Sequence, residues 1–117
     1  MRTRTFKHTI KYPGIRETFV HNLYLVADSY ADNGSLAVTV MEVNDDGTED
    51  YFDTVTVNIP WGDAGGNRAY VDTNNCSWAE KMLSQHRFAK DTGERQRSGY
   101  CVYPLYEFDL SKFDKKD

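Results

Sequence analysis

The sequence contains little cysteine and little histidine, and both shortages limit the chemistry that it can support. Only two of the 117 residues are cysteine and three are histidine. Cys76 and Cys101 are too few for a disulfide framework, and we expect them to be reduced thiols. His8, His21 and His86 are scattered along the chain, and their spacing does not match a zinc site. We therefore predict no metal and no other cofactor.

Long hydrophobic runs are also missing. No apolar stretch approaches the length of a membrane-spanning helix, and the basic start, MRTRTFKHTIKYP, lacks the apolar segment of a signal peptide. Arg2 stands where N-myristoylation requires glycine, and the chain ends in DKKD rather than in a prenylation motif. These absences predict a cytoplasmic protein that does not contact membranes.

Aromatic residues, in contrast, are plentiful: the chain has eight Tyr, six Phe and two Trp. Such side chains bury large areas and favour strands, which predicts a Tyr-rich core built on a sheet. A length of 117 residues fits a single domain, 1–117. Within it, residues 1–15 are predicted to form a basic N-terminal strand or arm, and residues 110–117 a polar tail.

Alternating apolar residues predict a series of antiparallel strands in the first half of the chain. We expect strands at about 3–11, 19–30, 35–43 and 50–59. The turn sequences YPG, DNGS and NDDG separate them. Tight turns in series leave little room for any topology other than an antiparallel meander.

One helix and one further strand complete the predicted fold. Ser77 and Glu80 have the spacing of a capping box, so a helix should start near Ser77. Its predicted buried face is formed by Trp78, Met82 and Leu83. The last strand, about 100–108, contains Pro104, which predicts an edge position or a bulge with a trans peptide bond. The predicted fold class is α+β: an antiparallel β-meander sheet with one α-helix packed on a face.

The glycine-rich stretch at residues 58–78, NIPWGDAGGNRAYVDTNNCSW, raises the question of an active-site loop. Its glycines match neither a P-loop nor a dinucleotide fingerprint, and no lysine follows them. We interpret the stretch as a connection that contains a short strand. Residues 42–53 superficially follow a calcium loop, but both flanks alternate as strands, which favours a hairpin turn.

Charge is distributed unevenly behind the net value of −4. Residues 27–75 contain ten acidic residues against one basic residue, Arg68. Four of these acids flank a single turn: Asp45, Asp46, Glu49 and Asp50. Because their charges should project into solvent together, we predict a surface that binds a protein with a basic surface. The alternative is a solvated face that only keeps the protein soluble.

Two other functions remain open on the sequence alone. A nucleic-acid-binding accessory protein would use a basic N-terminal arm, although a pI near 5.3 argues against a dedicated binder. The candidate contacts of that arm are Arg2, Arg4, Lys7, Lys11 and Arg16, with Phe6 and Tyr12 for stacking. A small enzyme would use Cys76, since a helix N-terminus can lower the pKa of a thiol. No histidine lies near Cys76 in sequence to act as its base.

Four segments of the chain are informative in combination: YADNGSLAV, TVTVNIP, VDTNNCSWAEKML and SGYCVYPLYEF. Over residues 19–108 they resemble a family of small bacterial proteins of unknown function that are carried by phages and by integrative or conjugative elements. Residues 1–18 and those after 109 lie outside the resemblance. It implies no catalytic or binding residue. It does imply a small non-enzymatic interaction protein of a mobile element, which binds and modulates a host or defence protein.

Overall fold

A computed structural model describes residues 1–62 and 64–115 of the chain. Its first half forms a four-stranded antiparallel sheet in the order β1-β2-β3-β4. The strands are β1 (Phe6–Lys11), β2 (Thr18–Ser29), β3 (Leu36–Val43) and β4 (Glu49–Thr54). The predicted antiparallel meander matches this sheet in part: Leu25 lies opposite Val40, for example, in the β2–β3 pair.

The predicted strand at 50–59 is two strands, which belong to different sheets. After β4 the chain continues into β5 (Thr56–Val57), which pairs with β6 (Arg68–Val71). Val55 lies at the change of sheet: its N–H donates to Val38 of the first sheet, and its carbonyl accepts from Asp72, which follows β6. The apolar alternation of the sequence continues through Val55 without a break, so it does not reveal the change of sheet. Val55 itself is fully buried.

The second sheet has the order β5-β6-β8-β7, in which β7 is Ala89–Ser98 and β8 is Cys101–Phe108. No strand was predicted in the polar sequence KDTGERQRSG, yet most of it lies in β7. Its polarity reflects an edge strand whose side chains face mainly solvent. Gly99 and Tyr100 form the two-residue turn to β8, with Gly99 at a positive φ of 63°.

The predicted α+β class is therefore wrong, since the protein is mostly antiparallel β-structure. About half of the chain is strand, in two antiparallel sheets, and the single α-helix is short. That helix, α1, is Ala79–Gln85, only seven residues. The pairing of β7 with β8 adds a strand that local alternation did not signal, and the division at Val55 turns one expected sheet into two.

Helix α1 lacks the predicted capping box. Its N-cap is Trp78, which makes no side-chain capping bond. The Glu80 carboxylate instead accepts a 2.5 Å hydrogen bond from the hydroxyl of Tyr106 on β8. The predicted buried face is confirmed, since Trp78, Met82 and Leu83 all join the main core.

Pro104 has the predicted trans peptide bond, since the described residues contain no cis peptide. The edge position is wrong for the strand as a whole, because β8 lies between β6 and β7. The bulge expectation holds: the β7–β8 register shifts between Asp91 and Arg95, and Arg95 is the residue opposite Pro104. Pairing with β6 stops at Leu105, so the missing N–H of Pro104 interrupts no ladder on that side.

Residues 58–62 and 64–66 lie on the outer face of the second sheet. They contain a 3₁₀ turn, Pro60–Gly62, and Ile59 and Ala64 form a small core with residues of β6 and β8. Tyr70 donates a 2.7 Å hydrogen bond from its hydroxyl to the carbonyl of Gly62. A Cβ at Gly62 would lie 2.5 Å from that hydroxyl, so glycine permits the close approach. The glycine-rich stretch is thus a packed connection, as predicted.

The end of the described chain is less polar than the tail predicted at 110–117. A 3₁₀ helix at Leu110–Phe113 places Phe113, which is fully buried, in the main core. Lys115 pairs its backbone with Arg2, which ties both ends of the described chain together. Residues 116–117 lie outside the described residues. Within the described part of the chain, no helix is both long and apolar enough to cross a membrane.

Candidate functional site

The four acids predicted as a binding surface lie together at one end and edge of the first sheet. Asp45 and Asp46 are in the β3–β4 turn, and Glu49 and Asp50 begin β4. All four are exposed. Strand β4 is the outermost strand of its sheet, so one side of its backbone has no neighbouring strand. We call this set of four carboxylates the acidic edge.

Local hydrogen bonds hold the acidic edge in place. Asp46 accepts from the backbone N–H of Thr48 at 3.0 Å and from its hydroxyl at 2.6 Å. These bonds lower the pKa of Asp46, which keeps it ionised. The Asn44 amide donates to Asp50 at 2.8 Å, and the Tyr24 hydroxyl donates to Glu49. The charges are therefore presented by an ordered turn.

The turn that carries these charges has a local cause in the sequence. Gly47 adopts a positive φ of 87°, which residues with a Cβ rarely tolerate. Its N–H donates to the carbonyl of Asn44, and the N–H of Asn44 donates to the carbonyl of Thr48. The NDDG sequence thus closes a tight hairpin and directs Asp45 and Asp46 away from the sheet.

An exposed aromatic residue adjoins the acidic edge. Tyr51 follows Asp50 on β4 and is 61% exposed. Its hydroxyl lies 2.8 Å from that of Thr54, so the ring is held along the strand. Tyrosine is enriched at the centres of protein interfaces, where it supplies contact area and a polar end. The alternating pattern of the sequence did not single out this residue.

Cys76 is not arranged as a nucleophile. The residue is fully buried, and its Sγ lies 3.6 Å from the carbonyl oxygen of Thr54. Burial, together with the nearby Asp53 and Asp72, raises the pKa of the Cys76 thiol to about 12. The expectation that a helix N-terminus lowers this pKa is therefore wrong, because desolvation and two carboxylates act in the opposite direction.

Two of the five basic residues of the proposed N-terminal arm lie on a folded strand. Lys7 and Lys11 are exposed on β1, at the edge of the first sheet. The two aromatic rings proposed for base stacking are engaged elsewhere. Phe6 packs against His86 with ring centroids 4.6 Å apart, and Tyr12 packs against Phe19 at 6.1 Å. The structure thus separates the charges of the arm from usable stacking surfaces.

All three histidines lie close together, which the sequence did not reveal. His8 and His21 are direct cross-strand partners in β1 and β2. His8 Nδ1 lies 3.0 Å from Nε2 of His86, which is 78 residues away in sequence. His21 Nδ1 lies 2.6 Å from the carboxylate of Glu42. No local signal in the sequence places His86 beside β1.

Burial favours the neutral forms of two of these histidines, His8 and His86. It lowers the pKa of His8, and the neighbouring His86 and Lys81 lower it further. Burial also lowers the pKa of His86. A hydrogen bond between two imidazoles requires one nitrogen to act as an acceptor, so the pair is stable while at least one ring is neutral. Among the described residues, no group of three or more acidic, His or Cys side chains is arranged to hold a metal ion.

Comparison with protein families matches residues 24–117 to a domain of unknown function, DUF4313. The chain belongs to the DUF4313 family. The match includes the end of the chain, which the sequence resemblance at 19–108 had left out, and it begins within β2. Comparison with curated proteins and with solved structures gave no match. Membership in DUF4313 agrees with the predicted family of unknown function.

Proposed function

We propose that this DUF4313 protein binds a basic surface of a partner protein through its acidic edge. The observation that carries the proposal is the ordered display of Asp45, Asp46, Glu49 and Asp50 beside the exposed ring of Tyr51. A rigid group of like charges meets a complementary surface without a large ordering cost.

Electrostatics support a partner of positive charge. The acidic edge concentrates repulsion, because Asp50 of β4 also lies directly opposite Glu42 of β3. Like charges at such opposed positions destabilise a sheet. His21 contacts Glu42, but no basic side chain forms an ion pair with the four acids among the described residues. A basic partner would relieve this repulsion on binding.

The family resemblance suggests what kind of partner the acidic edge would bind. A protein of phages or of integrative and conjugative elements meets host defence proteins, and nucleases among them carry basic surfaces for nucleic acid. We propose that the acidic edge occupies such a surface and thereby modulates the host protein. The burial of Cys76 and its raised pKa give no support to a thiol-based enzyme.

The alternative is that the charges only protect an exposed strand. Charged residues on edge strands prevent sheets from pairing edge to edge, and the acidic edge lies on such a strand. The two explanations differ in their consequences. A protective role predicts that neutralised protein self-associates, whereas a binding role predicts that it loses a basic partner.

A charge-neutralised variant tests the proposal. Asp45→Asn, Asp46→Asn, Glu49→Gln and Asp50→Asn remove the acidic edge together. The matched control removes four exposed acids from other surfaces: Glu17→Gln, Asp28→Asn, Glu94→Gln and Asp114→Asn. Pull-downs from host lysate should recover the same basic protein with wild type and control. The acidic-edge variant should bind it about tenfold more weakly or worse, chiefly through slower association.

Salt dependence and self-association complete the test. Association of wild type with the captured partner should slow as ionic strength rises, because exposed charges are screened. Equal capture by both variants, with equal salt dependence, would contradict the proposal. Self-association of the acidic-edge variant without loss of a partner would favour edge protection. Salt-dependent retention of wild type on DNA, lost on replacing Lys7 and Lys11, would instead favour nucleic-acid binding.

A further inference from the structure

A cleft of about 570 Å³ lies where the end of α1, strand β7 and the segment after β8 meet. Clefts of this size accommodate small organic molecules rather than single ions. Ala89, Tyr106 and Phe108 are packed at its base, with the half-buried Leu110 beside them. This cleft is separate from the acidic edge, which lies on the first sheet.

Arg87 on the rim of the cleft adopts an unusual backbone conformation. Its φ of 57° is the only positive φ at a non-glycine position among the described residues. It closes α1 in a Schellman arrangement: the N–H of Arg87 donates to Ser84, and the N–H of Phe88 donates to Leu83. Glycine is the usual residue at this position because it is unstrained there. The chain has arginine instead, although it uses glycine at its other left-handed positions.

The conformation of Arg87 is also fixed from outside the helix. The ammonium group of Lys112 donates a 2.9 Å hydrogen bond to the carbonyl of Arg87. This contact joins the 3₁₀ helix at Leu110–Phe113 to the end of α1. The strained residue is therefore held in position by two elements, and it is one of the residues that line the cleft.

The other charged side chains of the cleft all make hydrogen bonds or ion pairs, although the bonds to Asp109 come from the neutral Ser111 and leave its charge in place. Asp91 accepts two hydrogen bonds from Arg95, each 2.8 Å long. Asp109 accepts from the backbone and hydroxyl of Ser111. Glu107 and Lys90 lie 3.7 Å apart and face each other. The guanidinium of Arg87 makes no hydrogen bond or ion pair with any described residue, which leaves it as the available cation of the cleft.

We propose that this cleft binds a small organic carboxylate, with Arg87 pairing to the carboxylate group. A guanidinium fits a carboxylate with two parallel hydrogen bonds, and its charge does not depend on pH. The volume of the cleft and the apolar side chains at its base accommodate the body of the ligand. A binding role accounts for a strained arginine at a position where glycine would be unstrained. The proposal does not depend on the function of the acidic edge.

Titration of the full chain with simple probes tests this site. Benzoate supplies a carboxylate on an aromatic body, benzyl alcohol supplies the body alone, and inorganic phosphate supplies an anion without the body. We expect benzoate to give saturable amide shifts, followed by NMR, at residues around Arg87, Lys90 and Leu110. Benzyl alcohol and phosphate should bind at least about fivefold more weakly, since each lacks one of the two contacts. Equal affinity for benzyl alcohol or phosphate would overturn the proposal.

Substitution of Arg87 separates binding from structure. Arg87→Gly should raise the midpoint of unfolding, because it removes the left-handed strain, and should weaken benzoate binding about tenfold. Arg87→Lys keeps both the strain and the charge, and should bind benzoate with intermediate affinity because the bidentate geometry is lost. Unchanged benzoate binding in the stabilised Arg87→Gly protein would overturn the proposal. Absence of saturable shifts in wild type would overturn it as well.

Discussion

The two sheets differ in how many of their faces are covered. The first sheet packs one face into the main core, and its other face leaves Val20 66% exposed. The second sheet is covered on both faces. Phe108 lies in the main core on one side of β8, and Leu105 lies on the other side in the small core beneath the 58–66 segment.

This difference assigns the two sheets different roles. The open part of the outer face of the first sheet leaves Val20 and Tyr51 accessible, and the acidic edge belongs to that sheet. Strand β8 of the second sheet lies between two cores, so its buried side chains should contribute more to stability than the exposed side chains of the first sheet. Binding through the first sheet therefore need not disturb the packing that holds the second.

The largest expected effect compares one substitution from each sheet. Leu105→Ala empties a position that is 2% exposed, and should lower the free energy of unfolding by about 2–5 kcal/mol. Val20→Ala on the open face of the first sheet should change it by less than about 0.5 kcal/mol. Urea denaturation measures both. Similar losses for the two variants would show that the outer face of the second sheet is not a packed core.

Gly62 tests the close contact between the 58–66 segment and the second sheet. An added Cβ would lie 2.5 Å from the hydroxyl of Tyr70, so Gly62→Ala should cost about 1–3 kcal/mol of unfolding free energy. Tyr70→Phe in the same background should recover only a small part of that loss, because it removes the hydroxyl but leaves two ring carbons 2.7 Å from the added Cβ. The two single variants and the double variant form a mutant cycle. Strict additivity would contradict the contact.

The first sheet is also the part that the sequence predicted well. In β3, Val38 and Val40 alternate with less buried residues, and the turn sequences DNGS and NDDG mark its ends. Such a pattern is typical of a sheet with one face packed against the core. The location of the acidic edge followed from the same turns, because residues that flank a tight hairpin must lie together.

The second sheet was harder to predict for physical reasons. Strand β7 is polar because it is an edge strand, so its membership depends on backbone pairing with β8 rather than on alternation. Val55 belongs to an unbroken apolar pattern, although the chain changes sheet there. The cleft at Arg87 and the meeting of His8 with His86 depend on tertiary packing, which no local pattern encodes.

Acid should weaken the contact between the first sheet and the elements around α1. His8 of β1 and His86 after α1 have pKa values lowered from 6.5, so the unfolded chain binds more protons than the folded one. Their contribution to stability is complete above about pH 6.5 and is lost as pH falls below it. Urea midpoints between pH 7.5 and 4.5 should show this loss.

A variant assigns that pH dependence to the histidine pair. His8→Gln removes one titrating group, so its stability should be lower at pH 7.5 but should change less between pH 7.5 and 4.5. Protection factors of the amides along β1, which correct for the slower intrinsic exchange in acid, should also fall on acidification in wild type, since β1 is an edge strand held partly through His8. An identical pH slope in wild type and His8→Gln would contradict the assignment.

The smallest expected effect concerns the two cysteines, of which only one is accessible. Cys76 is fully buried with a thiol pKa of about 12, whereas Cys101 of β8 is half-buried. Iodoacetamide should therefore label Cys101 first and should reach Cys76 only on unfolding.

Cys76→Ser should lower the free energy of unfolding by only about 1 kcal/mol, because the carbonyl of Thr54 can accept a hydrogen bond from the new hydroxyl. The variant should capture partners as wild type does. Rapid labelling of Cys76 in the folded protein would contradict its burial, and loss of a measured activity in stably folded Cys76→Ser would restore the enzyme hypothesis.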